Sequence, residues 1–239
     1  MIIALTAGTS GMVGMQILHQ LLQHSDYDFV VSVGRRKLAL KHNKLIQLEG
    51  DLAKIDAWDW EQKLTSQSLG GEFNQLRDAI VAKSTTLHAF CSLGTTIKQA
   101  GSKEQFHFVD HDLVIAFAVW AKKIGAQKFF YVSSTGADEN SSFYYSEVKG
   151  EVEKDLNTLD FNYLGIFRPS LLMGNRSEFR FGESAAQILM KPLIWLKLFK
   201  NIRPIYDHQV AKAMVKTALI EKKIHSEIVS SGEMQDLSK

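Results

Sequence analysis

Met1-Ile2-Ile3-Ala4-Leu5-Thr6-Ala7-Gly8-Thr9-Ser10-Gly11-Met12-Val13-Gly14-Met15-Gln16-Ile17-Leu18 is the stretch that decides the fold. An apolar run ends in glycines spaced Gly-x-x-Gly-x-x-Gly, at Gly8, Gly11 and Gly14, and an amphipathic segment follows. A strand that turns at once into a helix needs a first glycine for the tight turn. A second is needed where backbone approaches a pyrophosphate, and a third where helix and strand pack closely. The N–H groups around Ser10, Gly11, Met12 and Val13 would be unpaired at the helix start, with the positive end of the helix dipole behind them. Strand, loop and helix in this order predict a nucleotide-binding unit.

Outward from that unit, short runs rich in Val, Ile, Leu and Phe recur near residues 28–33, 45–48, 87–91, 128–133 and 162–167. Helical patterns lie near 12–24, 72–83, 104–124 and 143–159. Alternation of this kind predicts an α/β fold, a single Rossmann-type doubly wound parallel sheet with strand order 3-2-1-4-5-6. The polar segment 53–70, with Trp58 and Trp60, reads as a loop or short helix. Helices near 183–199 and 208–221, with a short strand near 203–206 or 226–229, would form a small C-terminal cap. All 239 residues then make one domain, in which about 168–239 contributes the substrate side.

Composition narrows the class. Hydrophobic residues make up 45% and charged residues 23%, the balance of a soluble globular protein, and a net charge of +2 gives no reason to expect nucleic acid as a partner. The single cysteine, Cys91, rules out an internal disulfide and reads as an inert packed thiol. The eight histidines look scattered, so no metal site is expected. The first residues lack a basic flank, no transmembrane segment is expected, and the cytoplasm is the expected compartment. The predicted partner is a small-molecule substrate, with the chain a monomer or homodimer.

The second strand decides the nucleotide. It runs into Gly34-Arg35-Arg36-Lys37 with no carboxylate at the place, roughly 20 residues past the glycines, where NAD-binding folds carry one for the ribose hydroxyls. Guanidinium groups there would grip a 2′-phosphate through forked, charge-assisted hydrogen bonds, so Arg35 and Arg36 predict NADP(H). After the third strand, Asp51-Leu52 would lie beside adenine. After the fourth, Leu93-Gly94 would let backbone pass close to the cofactor.

The fifth strand ends in Ser133-Ser134, followed by Tyr145-Ser146-Glu147-Val148-Lys149. Tyr145 and Lys149, four apart, share one helix face. The ammonium of Lys149 would favour tyrosinate, making Tyr145 a usable acid for a carbonyl oxygen or base for an alcohol. Lys149 would also donate to the nicotinamide ribose. Strand alternation lets only one serine face the site, and Ser134 is preferred over Ser133. Tyr144 has Val148 rather than a lysine four residues on.

Together these motifs resemble the short-chain dehydrogenase/reductase superfamily, in its extended or atypical branch. Gly34-Arg35-Arg36-Lys37-Leu38, Leu93-Gly94-Thr95-Thr96, Ser133 through Asp138, Tyr145 through Glu153 and Phe167-Arg168-Pro169 are similar to the Tat-interacting-protein-type oxidoreductases. The resemblance runs from residue 1 to about 220. It implies NADP(H) held by the glycine loop, the paired arginines, Leu93-Gly94, Tyr145, Lys149, and a late loop matching Leu172 and Arg180. Ala7 stands where the superfamily often has threonine, and Asp110 where extended members often carry asparagine. The function so implied is an NADP-dependent oxidoreductase for a carbonyl or alcohol, with an epimerase or dehydratase that recycles its cofactor as a variant. The alternatives are an NADP(H)-binding redox sensor or interaction protein with little turnover and, through the amphipathic stretch 187–199, a membrane-associated adaptor. As a lid, 187–199 would instead imply a substrate with an apolar portion. Asp207-His208 reads as a helix N-cap rather than a catalytic dyad.

Overall fold

The computed structural model describes residues 1–65, 85–174 and 203–239. Its centre is a seven-stranded, wholly parallel sheet. In chain order the strands are β1 (Ile2–Ala7), β2 (Phe29–Gly34), β3 (Leu45–Glu49), β4 (Thr86–Cys91), β5 (Ala126–Val132), β6 (Tyr163–Arg168) and, after two short ones, β9 (Ser226–Ser230). Across the sheet the order is β3-β2-β1-β4-β5-β6-β9. The expected 3-2-1-4-5-6 arrangement is therefore present, and a seventh strand extends it.

Continuous apolar strands fit a sheet covered on both faces, because alternate residues point to opposite sides. Ile3, Leu5 and Ala7 of β1, Leu87, Ala89 and Cys91 of β4, and Phe129 and Tyr131 of β5 join one core. Into it pack α2 (Trp60–Thr65), α5 (Leu113–Lys123) and α6 (Tyr144–Thr158). Ala4, Phe90, Phe130 and Phe167 point the other way, to α1 (Met12–Gln23) and α7 (Asp207–Leu219). Small residues on α7, Ala211, Ala213 and Ala218, are fully buried and let it lie against α1, where Gln20 Nε2 also donates to the His208 carbonyl at 3.0 Å.

The C-terminal part departs from a simple cap. Helix α7 lies on the face of the sheet beside α1, and β9 joins the sheet edge, followed by α8 (Ser231–Leu237). Ile228 and Val229 carry too short an apolar pattern for its seven-strand partnership to be read locally. The expected strands at 203–206 and 226–229 both exist. The first, β8 (Ile205–Tyr206), pairs with β7 (Leu172–Met173) in a separate ribbon. The helical patterns at 72–83 and 183–199 fall outside the described residues. The pattern near 104–124 is helical throughout, α4 (Lys103–His107) passing through a π-helical turn over Phe108–Asp112 into α5. A short α3 (Ile97–Ala100) precedes it.

One buried pair in the sheet gives the fold a pH dependence. His88 Nδ1 lies 2.9 Å from the Tyr27 hydroxyl, and both residues are buried. Burial, reinforced by the Lys128 charge, holds the His88 pKa down to about 4. An unfolded histidine titrates near 6.5. Between those values the unfolded chain binds a proton that the folded chain refuses, so stability falls as the pH drops through this window. The full loss from this group is about 3 kcal/mol. Urea unfolding at pH 7 and pH 4.5 should show it, and His88→Gln should flatten the difference. An unchanged difference in the variant would contradict this role of His88.

Candidate active site

The glycine loop is built by close backbone approach. Gly8 has φ of +87°, and a Cβ there would sit 2.5 Å from the Ser92 carbonyl carbon. A Cβ on Gly14 would lie 2.1 Å from the Gly8 carbonyl oxygen, so strand and helix meet there without a side chain between them. Gly11 is the N-cap of α1 and no side chain caps it. The following amides of Met12, Val13 and Gly14 therefore keep the unpaired donors typical of a helix start. Ser10 is exposed, and neighbouring Thr9 is fixed by a 2.7 Å contact between its hydroxyl and that of Ser32 on β2.

At the carboxyl end of β2, Arg35 and Arg36 are exposed and form no ion pair or hydrogen bond among the described residues. Two cations thus follow β2, whose end pairs with the end of β1 before the glycine loop. Asp51 has a local duty: its Oδ1 accepts from the Ala53 N–H at 3.1 Å and caps a 3₁₀ turn over Leu52–Ala57. The Leu52 side chain is buried in the core, which leaves only its backbone for a ligand. Leu93 is half-buried against the same core. Leu172 lies in β7, and Arg180 falls outside the described residues. Cys91 is fully buried, and burial pushes its thiol pKa up to about 12, which fits an inert packed group.

The two serines after β5 divide their duties. Ser133 is buried and its hydroxyl donates to Glu153 Oε1 in a short hydrogen bond. Glu153 in turn is held by Arg168 through both Nε (2.9 Å) and a terminal nitrogen (2.5 Å). Ser134 Oγ is buried and has no hydrogen-bond partner among the described residues. A buried hydroxyl without a hydrogen bond carries a desolvation cost that a ligand oxygen would relieve.

Tyr145 is half-buried at the start of α6, its ring 5.8 Å from that of Phe106, and its hydroxyl has no hydrogen bond among the described residues. Tyr144 is tied elsewhere: its hydroxyl donates to the Lys103 carbonyl at 3.1 Å.

Lys149 interacts electrostatically with Tyr145 and also has closer polar partners. Its ammonium, buried on the sheet side of α6, donates to the Tyr131 hydroxyl at 2.9 Å and lies 3.0 Å from Asp110 Oδ1. Its direct polar partners are therefore Tyr131 and Asp110 rather than Tyr145. Burial works against the charge, but Tyr131 and Asp110 outweigh it and hold Lys149 protonated beyond the ordinary lysine range. The other oxygen of Asp110 accepts from the Thr95 N–H at 2.6 Å, which pins the turn after Leu93-Gly94. One carboxylate thus fixes both the lysine and the loop after β4.

Asp110, Tyr131, Glu153 and Arg168 had no assigned role in the sequence reading. A signal for Asp110 was present. Phe106, Asp110, Leu113, Val114 and Phe117 fall on one buried stripe, and a carboxylate in such a stripe needs a buried partner. The expectation for Asp207-His208 is corrected too: Tyr206 is the N-cap of α7, and Asp207, its first residue, accepts from the His208 N–H at 2.7 Å. Nor are the histidines all scattered, since His107 and His111 stack with ring centroids 4.5 Å apart.

No family model matches the chain. It is 35% identical over 183 residues to Protein HTATIP2 of Rattus norvegicus, a match covering 75% of this chain and 66% of that protein. It is 31% identical over 240 residues to Protein FMP52, mitochondrial, of Eremothecium gossypii, covering 99% of this chain and 97% of that protein. The Saccharomyces cerevisiae FMP52 is 29% identical over 240 residues, with 98% and 95% covered. Among solved structures, MoeE5 in complex with UDP-glucuronic acid and NAD matches with a TM-score of 0.62 at 15% identity, covering 95% of this chain and 75% of that one. A UDP-glucose 4-epimerase from Thermotoga maritima with UDP-glucose matches at 0.63 and 14%, covering 97% and 77%. These likenesses carry the fold. The expected cytoplasmic compartment does not stand, because the fungal relatives matched almost end to end are mitochondrial by name. Among the described residues no helix is long and apolar enough to cross a membrane.

Proposed function

From the premise that the chain belongs to the family of HTATIP2 and the FMP52 proteins, an atypical branch of the short-chain dehydrogenases/reductases, we propose that it is an NADP-dependent oxidoreductase for a carbonyl or alcohol. One observation supports this reading: after β5 and on α6 stand a buried Ser134 hydroxyl and a Tyr145 hydroxyl, both without a hydrogen-bond partner among the described residues, and a protonated Lys149.

The residues fit a nicotinamide dinucleotide phosphate. The Gly8–Gly14 loop leaves amides and a helix end for the diphosphate. Arg35 and Arg36, exposed and without a partner among the described residues, would hold the 2′-phosphate. The Leu93–Thr95 turn is fixed by Asp110, and Lys149 offers an ammonium. The nicotinamide supplies or accepts the hydride.

The chain's own residues handle the oxygen and its proton. Ser134 Oγ donates to the substrate oxygen and holds it toward Tyr145. In reduction the Tyr145 hydroxyl gives its proton to that oxygen; in oxidation the tyrosinate removes it. The fixed positive charge of Lys149 favours the anionic oxygen in either direction.

Purified protein should consume NADPH with at least one member of a carbonyl panel, monitored at 340 nm. Tyr145→Phe should lower kcat on the order of a hundredfold with NADPH affinity retained. NADPH binding without turnover across the panel would favour the redox-sensor reading, and undiminished turnover by Tyr145→Phe would remove Tyr145 from the proton step.

A further inference from the structure

The π-helical turn that aims Asp110 inward at Lys149 aims a second set of groups outward. His107 and His111, one turn apart, stack at 4.5 Å with ring planes 30° apart. One nitrogen of each and an oxygen of Asp112 all lie within 4.8 Å of one another. His107 Nδ1 is 3.3 Å and His111 Nδ1 2.8 Å from the same Asp112 Oδ1. The opposite ring nitrogens face carboxylates on α6. His107 Nε2 is 3.4 Å from Glu151 Oε2, and His111 Nε2 is 3.0 Å from Asp155 Oδ2. We propose that His107, His111 and Asp112 form a divalent transition-metal site, with Glu151 and Asp155 as its supporting carboxylates.

The arrangement has the polarity a metal site needs. A ligating imidazole must offer one nitrogen lone pair, and it typically donates the other N–H to a carboxylate that fixes its tautomer and orientation. Glu151 and Asp155 stand where they would accept from both Nε2–H groups, leaving both Nδ1 lone pairs turned to the Asp112 oxygen. Ligand atoms around a tetrahedral zinc with bonds near 2.0–2.1 Å are about 3.3 Å apart, which matches the His107–Asp112 separation of 3.3 Å, while the 2.8 Å His111–Asp112 contact would have to open by about half an ångström on binding. Two histidines and one carboxylate also leave a coordination position open for water.

The surroundings favour a cation. His107 and His111 are partly exposed and line a surface cleft with Glu139, Glu151, Lys154 and Asp155. The one cation in that lining, Lys154, is paired to Glu139 at 2.7 Å. Asp112, Glu151 and Asp155 then face the two imidazoles. A bound ion would tie the π turn to α6, the two elements that carry Asp110 on one side and Tyr145 with Lys149 on the other. The site is separate from the proposed dinucleotide cradle and uses none of its residues.

The test is zinc binding by the full chain. Protein freed of metal by chelator dialysis is titrated with ZnCl₂ in competition with a chromophoric chelator at pH 7.5. One equivalent per chain should bind with a dissociation constant at or below the micromolar range. His107→Gln with His111→Gln should abolish it. Glu151→Gln with Asp155→Asn should weaken it about 10- to 100-fold, and His42→Gln, an exposed histidine elsewhere, should leave it intact. NADPH affinity, measured on the same proteins, should survive the histidine changes, so failure here and failure of the oxidoreductase reading are distinguishable. Absence of stoichiometric zinc in the wild-type chain, or equal binding by the double histidine variant, overturns the site.

Discussion

Replacing Arg35 and Arg36 together by alanine should weaken NADPH binding by roughly 10²- to 10⁴-fold and leave NADH within a few-fold of wild type. The asymmetry follows from what each cofactor presents. The two differ by one phosphate on the adenosine ribose, and in the proposed function that phosphate would meet the loop after β2. Each lost hydrogen bond between guanidinium and phosphate costs about 1.5–3 kcal/mol, so the pair costs roughly 3–6 kcal/mol if the contacts act independently. Both guanidiniums are exposed and free of ion pairs among the described residues, so their loss leaves no orphaned partner and should not unfold the protein. Raising ionic strength should shrink the discrimination, because exposed charges are screened. Arg35→Lys with Arg36→Lys should fall between, keeping the charge and losing the fork. Calorimetric titration with both cofactors decides it. An equal loss for NADPH and NADH would mean that the arginines supply general attraction and do not read the phosphate.

The motifs were legible because each is local. Gly8, Gly11 and Gly14 mark one loop by spacing alone. Apolar strands of five to seven residues separated by helical segments dictate a covered parallel sheet. What stayed hidden is relational. Asp110 was visible as a residue but not as the hub between Thr95 and Lys149, since the three come from separate segments that meet only when β4, the π turn and α6 are packed. The same packing turned the ammonium of Lys149 to Tyr131, a contact that no i,i+4 rule contains. Ser133 and Ser134 could be separated in principle by strand alternation, but the reason Ser133 is unavailable, its bond to Glu153, lies across the sheet surface on α6. The π turn was unreadable because it inserts a residue into a helix whose apolar stripe looks continuous. At that turn Asp110 points inward while His107, His111 and Asp112 gather on the outside.

Removing the Asp110 carboxylate should cost more stability than any surface change in this chain. Asp110 and Lys149 are almost fully buried, with side-chain exposures of 1% and 4%. An ion pair at that depth gains little over an apolar pair, because desolvation offsets the attraction. Breaking it strands a charge, however, and that costs about 3–5 kcal/mol. Asp110→Ala should therefore lower the denaturation midpoint sharply, and it should also weaken NADPH binding because the Leu93–Thr95 turn loses its anchor. Asp110→Asn keeps an oxygen for the Thr95 N–H and should retain more of both properties. The decisive comparison is a double-mutant cycle. Lys149→Met alone also strands a charge, whereas Asp110→Leu with Lys149→Met removes both, so the double variant should lose less stability than the two single losses added together. Strict additivity, within about 0.5 kcal/mol, would show that the two groups do not depend on each other. The lysine would then be held by Tyr131 and packing, with no part played by the carboxylate.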